Sequence, residues 1–275
     1  MFKIISISTI LSFFVVFSAY ASSNDSSVSI DVGSDEQGNN SSSVAVKLSL
    51  NSTKQIMFGV GRTKVPAGIE TINNNFHYFG LSKKVSENWK LTGMVEYSGL
   101  KDAFSMISTS VPVRFTQDNY YLEVVPALRT ISLSTLNNKK LFVSSSALGF
   151  KGGWYIGKYF RLTGSAYSYA YSRDVSKLAT FQSTRYFNEN ALLLSSGLLK
   201  RSYNMEMGLD FDSFSVSAGK NRSVSAIDNS NSDYIYTVLD YFISDSWGVS
   251  LLYGEYLNTP ADRNNYTSVS VSHSF

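Results

Sequence analysis

The chain closes on Y-T-S-V-S-V-S-H-S-F, residues 266–275. Val269, Val271, His273 and Phe275 fall on one parity, and Ser268, Ser270, Ser272 and Ser274 on the other. Strict alternation marks a β-strand with one apolar and one polar face. In water, a strand of this kind ending in a bare aromatic residue invites edge-to-edge aggregation. Something apolar must cover the face that carries Val269 and Val271, and the rest of the chain says what.

The same period recurs upstream. It runs through Val44, Val46, Leu48 and Leu50; through Trp89, Leu91, Gly93, Val95 and Tyr97; through Ile107, Thr109, Val111, Val113 and Phe115; and through Tyr203, Met205, Met207, Leu209 and Phe211. Each stretch approaches the roughly 9–11 residues with which a tilted strand crosses a bilayer. No stretch after the N-terminus has helical periodicity. L-L-L-S-S-G-L-L at 192–199 comes nearest, but its serines and Gly197 favour a strand. Pro66 and Pro260 sit in turn-like segments, whereas Pro112 and Pro126 interrupt strand patterns and predict bulges or strand ends.

The turns repeat as well. V-S-E-N-W at 85–89, F-N-E-N-A at 187–191 and I-S-D-S-W at 243–247 are three versions of one motif, and F-T-Q-D-N-Y at 115–120 is a longer one. Short Asn/Asp/Ser turns are natural hairpin connectors. Flanking aromatic rings suit the level of lipid headgroups. Turn centres near 52, 87, 118, 155, 189, 212 and 245 alternate with connections richer in Asn, Lys and Ser at 36–40, 64–75, 99–102, 134–140, 173–179, 200–202, 222–232 and 258–265. This spacing predicts eight hairpins, hence about sixteen strands. The count falls to fourteen if 173–213 holds a long loop, and to twelve if the first strands stay outside the sheet.

The N-terminus reads as a secretory signal peptide over residues 1–21. It has Lys3, an apolar run from Ile4 to Phe17, and small residues at Ala19 and Ala21. Residues 22–275 then form one domain. There are no cysteines, which excludes a disulfide framework and thiolate metal sites. A net charge of +3 with scattered basic residues gives no nucleic-acid-binding face. No run after the signal approaches the roughly 20 apolar residues of a membrane helix. Aromatic residues make up 14% of the chain and charged residues only 16%. Such a chain fits alternating lipid-facing and water-facing residues, and a soluble β-sandwich or solenoid fits the composition as well.

Signal, hairpins, aromatic-flanked turns and terminal Phe275 together resemble a Gram-negative outer-membrane β-barrel, porin-like in architecture. The resemblance implies a closed antiparallel barrel in the outer membrane, in contact with lipid and lipopolysaccharide. It also implies that Val269, Val271, His273 and Phe275 form the strand read by the barrel-assembly machinery, with His273 where an aromatic residue is commoner. Closure is what physics requires, since backbone groups in lipid must be satisfied internally.

Parity then assigns most in-strand charges to the lumen, because Lys or Arg at the bilayer midplane costs ~2–4 kcal/mol. The pore-lining candidates are Arg114, Glu123, Arg129, Lys151, Arg161, Glu206, Asp210 and Asp240, with Asp31, Lys47 and Glu96. Basic residues cluster in mid-chain and acidic ones later. One expectation is therefore a water-filled pore whose opposed walls set up a transverse field for small polar solutes. The alternative is pairing between neighbouring strands. Tyr167, Tyr169 and Tyr171 share parity with Arg161, and are expected in the wall or a girdle rather than on a sugar-binding slide. No segment reads as a plug. Residues 64–75 are the best candidate for a constriction, with an ordinary surface loop as the alternative.

An enzymatic barrel would need a general base. The chain has two histidines, His273 in the terminal strand and His77, expected near the outer rim among aromatic residues without a Ser or Asp partner in sequence. The reading is a non-enzymatic passive channel with no cofactor and no metal, and a homo-oligomer is suggested by the resemblance alone. A structural or export-accessory barrel, or an outer-membrane hydrolase, are the alternatives.

Overall fold

The computed structural model describes residues 26–67, 70–100, 104–134, 140–176, 198–258 and 263–275. The expected signal peptide lies outside the described residues. Fifteen β-segments follow one another: β1 (Ser27–Asp35), β2 (Asn40–Asn51), β3 (Lys54–Ala67), β4 (Glu70–Lys84), β5 (Trp89–Leu100), β6 (Phe104–Ser110), β7 (Val113–Gln117), β8 (Tyr120–Ser134), β9 (Lys140–Ile156), β10 (Phe160–Tyr171), β11 (Leu199–Asp210), β12 (Phe214–Ser225), β13 (Asn231–Phe242), β14 (Trp247–Asn258) and β15 (Arg263–Ser274). Each pairs antiparallel with its neighbours, and β1 pairs with β15, from Ser27 opposite Ser274 to Asp35 opposite Tyr266. The sheet is closed, so no edge remains.

β6 and β7 occupy a single place between β5 and β8. The described barrel therefore has fourteen places rather than the expected sixteen. The difference arises between β10 and β11. These strands pair directly, from Phe160 opposite Leu209 to Ser168 opposite Arg201, so no further hairpin stands between them in the wall. The turn expected at 187–191 lies outside the described residues, and the loop expected at 200–202 is part of β11.

The split between β6 and β7 has a local cause. Pro112 has no N–H, and its carbonyl accepts from Thr92 of β5 at 2.9 Å. Pro126 of β8 also has no N–H, and its carbonyl accepts from Val111 at 3.0 Å. The two missing donors fall on the two sides of one strand at one level. Register is nevertheless continuous: Ser110 faces Ala127 and Val113 faces Val124. Pro112 thus lies at the expected strand end, in a two-residue gap between β6 and β7, whereas Pro126 stays within β8.

Tight turns close the end at which β1 starts and β15 finishes. Those expected near 52, 87, 118, 212 and 245 are present, and the one placed near 155 lies at 157–159. The V-S-E-N-W and I-S-D-S-W motifs fold alike. Val85 and Ile243 donate to the carbonyls of Trp89 and Trp247 at 2.8 and 2.9 Å. The Trp89 and Trp247 amides donate to Ser86 and Ser244 Oγ, each at 3.2 Å. Asn51 Oδ1 organises the β2–β3 turn by accepting from Thr53 and Lys54 amides, each at 2.9 Å. Gly157, at φ +64°, supplies the left-handed position between β9 and β10. At the opposite end, the expected 64–75 loop is mostly hairpin, paired out to Ala67 opposite Glu70.

Cα partners share a face, so the registers sort the side chains around the whole barrel. Phe58, Phe79, Val95, Leu122, Phe150, Met205, Leu239, Leu251 and Val269 lie on one surface, and all of these but the half-buried Phe58 are extensively exposed. That surface is the exterior, and only lipid matches it. Trp89, Trp154 and Trp247 stand on it at the turn end, with Trp89 against Phe115 at 5.1 Å and Trp247 against His273 at 4.4 Å. Towards the other end, Arg222 and Lys220 share Asp233 on the exterior, at 2.7 and 3.0 Å.

Candidate solute pathway

The inner wall is built from the other parity. The structure places Arg114, Glu123, Arg129, Lys151, Arg161, Glu206, Asp210 and Asp240 on it, together with Asp31, Lys47 and Glu96. Two groups of these charges come together. Glu123, 7% exposed, accepts from Arg114 Nε at 2.7 Å and lies 3.2 Å from Lys151 Nζ. Arg161 lies 3.4 Å from Glu206 and 3.6 Å from Asp210. Asp240 accepts from Ser215 at 2.9 Å. Arg114 and Arg161 thus find acidic partners on adjacent strands, and the expected transverse field between a basic and an acidic wall gives way to neighbour pairing. Parity was visible in the sequence, whereas the partner of each charge depends on cross-strand register.

Arg129 differs. Its guanidinium lies 4.2 Å over the Tyr169 ring, and Nη2 donates to the Tyr169 hydroxyl at 3.2 Å. Its Nε and Nη1 are buried without a hydrogen-bond partner, as is Oγ of the facing Ser145.

Aromatic rings line much of the remaining inner wall, and they lie flat on glycines. Tyr78 covers Gly59, Phe76 covers Gly61, Tyr121 covers Gly153, Tyr167 covers Gly149 and Tyr236 covers Gly219, each directly across a strand pair. Tyr266 and Tyr234 cover Gly33 and Gly254 on the diagonal. A Cβ at any of these glycines would overlap the ring. The pairing folds large side chains against the wall instead of across the lumen. Tyr167, Tyr169 and Tyr171 belong to this inner surface and are not girdle residues. Sequence inspection missed Tyr234, Tyr236 and Tyr256. The available signal was tyrosine on the parity opposite Ile235 and Leu239, paired to a glycine on the neighbouring strand.

A recess of about 310 Å³ opens in this surface across β10–β14, lined by Tyr167, Tyr169, Asn204, Asn221, Tyr234 and Tyr256 among others. Next to it the inner wall becomes apolar. Leu100, Phe104, Met106, Ile131, Leu133 and Val143, at the loop end of β5, β6, β8 and β9, pack with Val175, Leu198 and Ile227. Val175 and Leu198 are near the two described ends of the β10–β11 connection. These two residues cover the apolar wall at the mouth. Leu198 joins the cluster while Leu199 lines the recess, so the apolar and polar sectors meet at the start of β11.

His77 lies on the exterior, opposite Val60 and Tyr97 in mid-strand, with its ring 5.9 Å from that of Tyr97. It does not reach the lumen, so the catalytic role considered for it has no support. Val269, Val271 and His273 are also exterior, and the Phe275 amide donates to the Ser26 carbonyl at 3.0 Å.

Comparison with solved structures gives the fold its context. A bacterial polysaccharide outer-membrane secretin superposes with a TM-score of 0.57 at 10% identity, over 92% of this chain and 99% of that one. The CymD monoaromatic hydrocarbon channel gives 0.55 at 8% identity, over 91% and 88%. The NanC porin gives 0.51 at 9% identity, over 90% and 100%. The chain has the fold of outer-membrane β-barrels. At these identities the likeness is one of fold, and the apolar exterior of the closed sheet supplies the membrane. No family model matches the sequence, and no curated protein matches it.

Proposed function

We propose that this barrel is a porin-like passive channel for small polar solutes. The supporting observation is the contrast between its two surfaces. The exterior is mostly apolar over the strand centres, with His77 and Lys220 as exceptions, whereas the interior carries ion-pair clusters, serine and asparagine ranks and tyrosines laid against the wall. An interior of this kind is stable only when hydrated. The apolar cluster narrows one sector at the mouth and leaves the route along the polar sector of β10–β14. Because the cationic and acidic groups pair locally, ion selectivity is modest and depends on the balance within each cluster. The tight turns face the periplasm and the longer connections face outward. The terminal strand engages the barrel-assembly machinery, and the exterior Lys220 and Arg222 meet lipopolysaccharide.

Conductance of the refolded, signal-free protein in planar bilayers, measured under a salt gradient, tests this reading. Stable steps with a measurable reversal potential are expected, and charge reversal at Arg114 or Arg129 should shift that potential. Heat-modifiable barrels that insert without conducting would refute it.

A further inference from the structure

The recess in the β10–β14 wall has the form of a binding trough. Two strands, β11 and β12, make its floor, and the floor consists of two facing ranks: Asn204 opposite Asn221, and Ser202 opposite Ser223. Stacked tyrosines rise on either side. On β10, Tyr167 and Tyr169 stack at 6.4 Å. On β13 and β14, Tyr234 stacks on Tyr256 at 4.3 Å and on Tyr236 at 5.5 Å. The banks stand three strand spacings apart, roughly 14 Å between backbones.

Both banks are held in place. Tyr169 takes a hydrogen bond from Arg129, and the Tyr236 hydroxyl donates to Glu206 Oε2 at 2.8 Å and contacts the Asn204 amide. Tyr167 and Tyr236 lie against Gly149 and Gly219, which fixes their ring planes. The trough is therefore preorganised, and its volume of about 310 Å³ is at the small end of ligand pockets, which span roughly 300–1,000 Å³.

From this lining we infer that the trough is a binding subsite for neutral sugars, mono- or disaccharide units that pause there during passage. The inference rests on the channel reading and adds the solute class to it. The lining contains no carboxylate, ammonium or guanidinium, so an ionic solute would give up water without gaining a countercharge. A purely apolar or aromatic solute would leave unused the hydrogen-bonding capacity that remains on the floor beyond the Asn204–Tyr236 and Ser223–Asn221 bonds. A pyranose satisfies both surfaces. Its C–H face lies on a tyrosine ring, and its edge hydroxyls both donate and accept, as do the floor amides and hydroxyls.

Sugar-dependent block of ion current tests the inference. Maltose and maltotriose are added to single channels at fixed salt, with benzoate as the aromatic comparison and sodium gluconate as the anionic one. Saturable, concentration-dependent reduction of current by the two sugars, and not by benzoate or gluconate, is expected. Asn221→Leu, which leaves every tyrosine–glycine pair intact, should raise the half-blocking concentration about tenfold or more, and Tyr234→Ala should act in the same direction. Each variant is first checked for the heat-modifiable gel shift and for unblocked conductance. Normal steps with no sugar block overturn the sugar site and leave the channel standing, as does block by benzoate or gluconate in preference to sugar. Block that is unchanged by both substitutions also overturns the assignment to this trough. A barrel that inserts without conducting overturns the channel reading itself.

Discussion

Replacing Gly219 with alanine puts the tyrosine-on-glycine wall to a quantitative test. The new Cβ would lie 2.5 Å from both Cζ and the hydroxyl oxygen of Tyr236. The ring cannot stay where it is, and turning away breaks its hydrogen bonds to Glu206 and Asn204. Overpacking of this kind costs ~1–3 kcal/mol. Alanine recovers ~0.5–1 kcal/mol over glycine in a strand interior through the entropy of the unfolded chain. The net expectation is a destabilisation of ~1–2 kcal/mol. Gly93 is the internal control, since it sits in the same kind of strand and nothing lies within 4 Å of an added Cβ. Gly93→Ala should be neutral or stabilising by up to ~1 kcal/mol. Urea unfolding of the barrel in phospholipid vesicles, followed by emission of the three tryptophans, reads both variants on one scale. In a Tyr236→Ala background the penalty at Gly219 should vanish. Equal midpoint shifts for the two glycine variants, or a penalty at Gly219 that survives loss of Tyr236, would refute the reasoning.

Other expectations follow from the same inner and outer surfaces. Glu123→Gln leaves Arg114 and Lys151 without their shared carboxylate. Since both cations are more than a third exposed, the loss should be held to ~2 kcal/mol, below the 3–5 kcal/mol of a fully buried pair, and the reversal potential should move toward anion selectivity. Ile131→Ala, at a fully buried position in the mouth cluster, should lower the unfolding free energy by ~2–4 kcal/mol in the same urea assay while unit conductance stays equal or rises. Deleting Phe275 should reduce the amount of barrel recovered in outer-membrane fractions, while the purified chain still refolds in detergent. His77→Phe keeps the ring against Tyr97 and should leave conductance and stability unchanged within ~0.5 kcal/mol.

Much of the wall was legible in the sequence because a barrel strand is a local object. Alternation at Val269 and Val271, or at Met205 and Met207, assigns faces without any knowledge of neighbours, and turn motifs such as V-S-E-N-W carry their own hydrogen bonds. The overcount came from the same locality. F-N-E-N-A at 187–191 matches the described turns in sequence, but how many strands stand in the wall is decided by what β10 and β11 pair with. Other features depend on register between distant residues. Glu123 meets Arg114 and Lys151 only once three strands are aligned, and Tyr236 finds Gly219 seventeen positions away. The mouth cluster even inverts the parity rule. Ile131 and Leu133 share a face with Arg129, so a rule that sends apolar residues to lipid misplaces one or the other. Apolar residues turn inward there because the ends of the β10–β11 connection, at Val175 and Leu198, are present to cover them.

The proline pair at Pro112 and Pro126 has a mechanical consequence. At this level one strand lacks a stitch toward each neighbour, and the lower segment holds β5 through only three residue pairs, Trp89 to Leu91. A closed sheet under tension parts along its thinnest line, and here that line runs beside β7, far around the circumference from the seam where β1 meets β15. Solvent exchange of backbone amides should therefore begin at Val113–Gln117, making this short segment the barrel's first point of yield when heat or denaturant starts to open it.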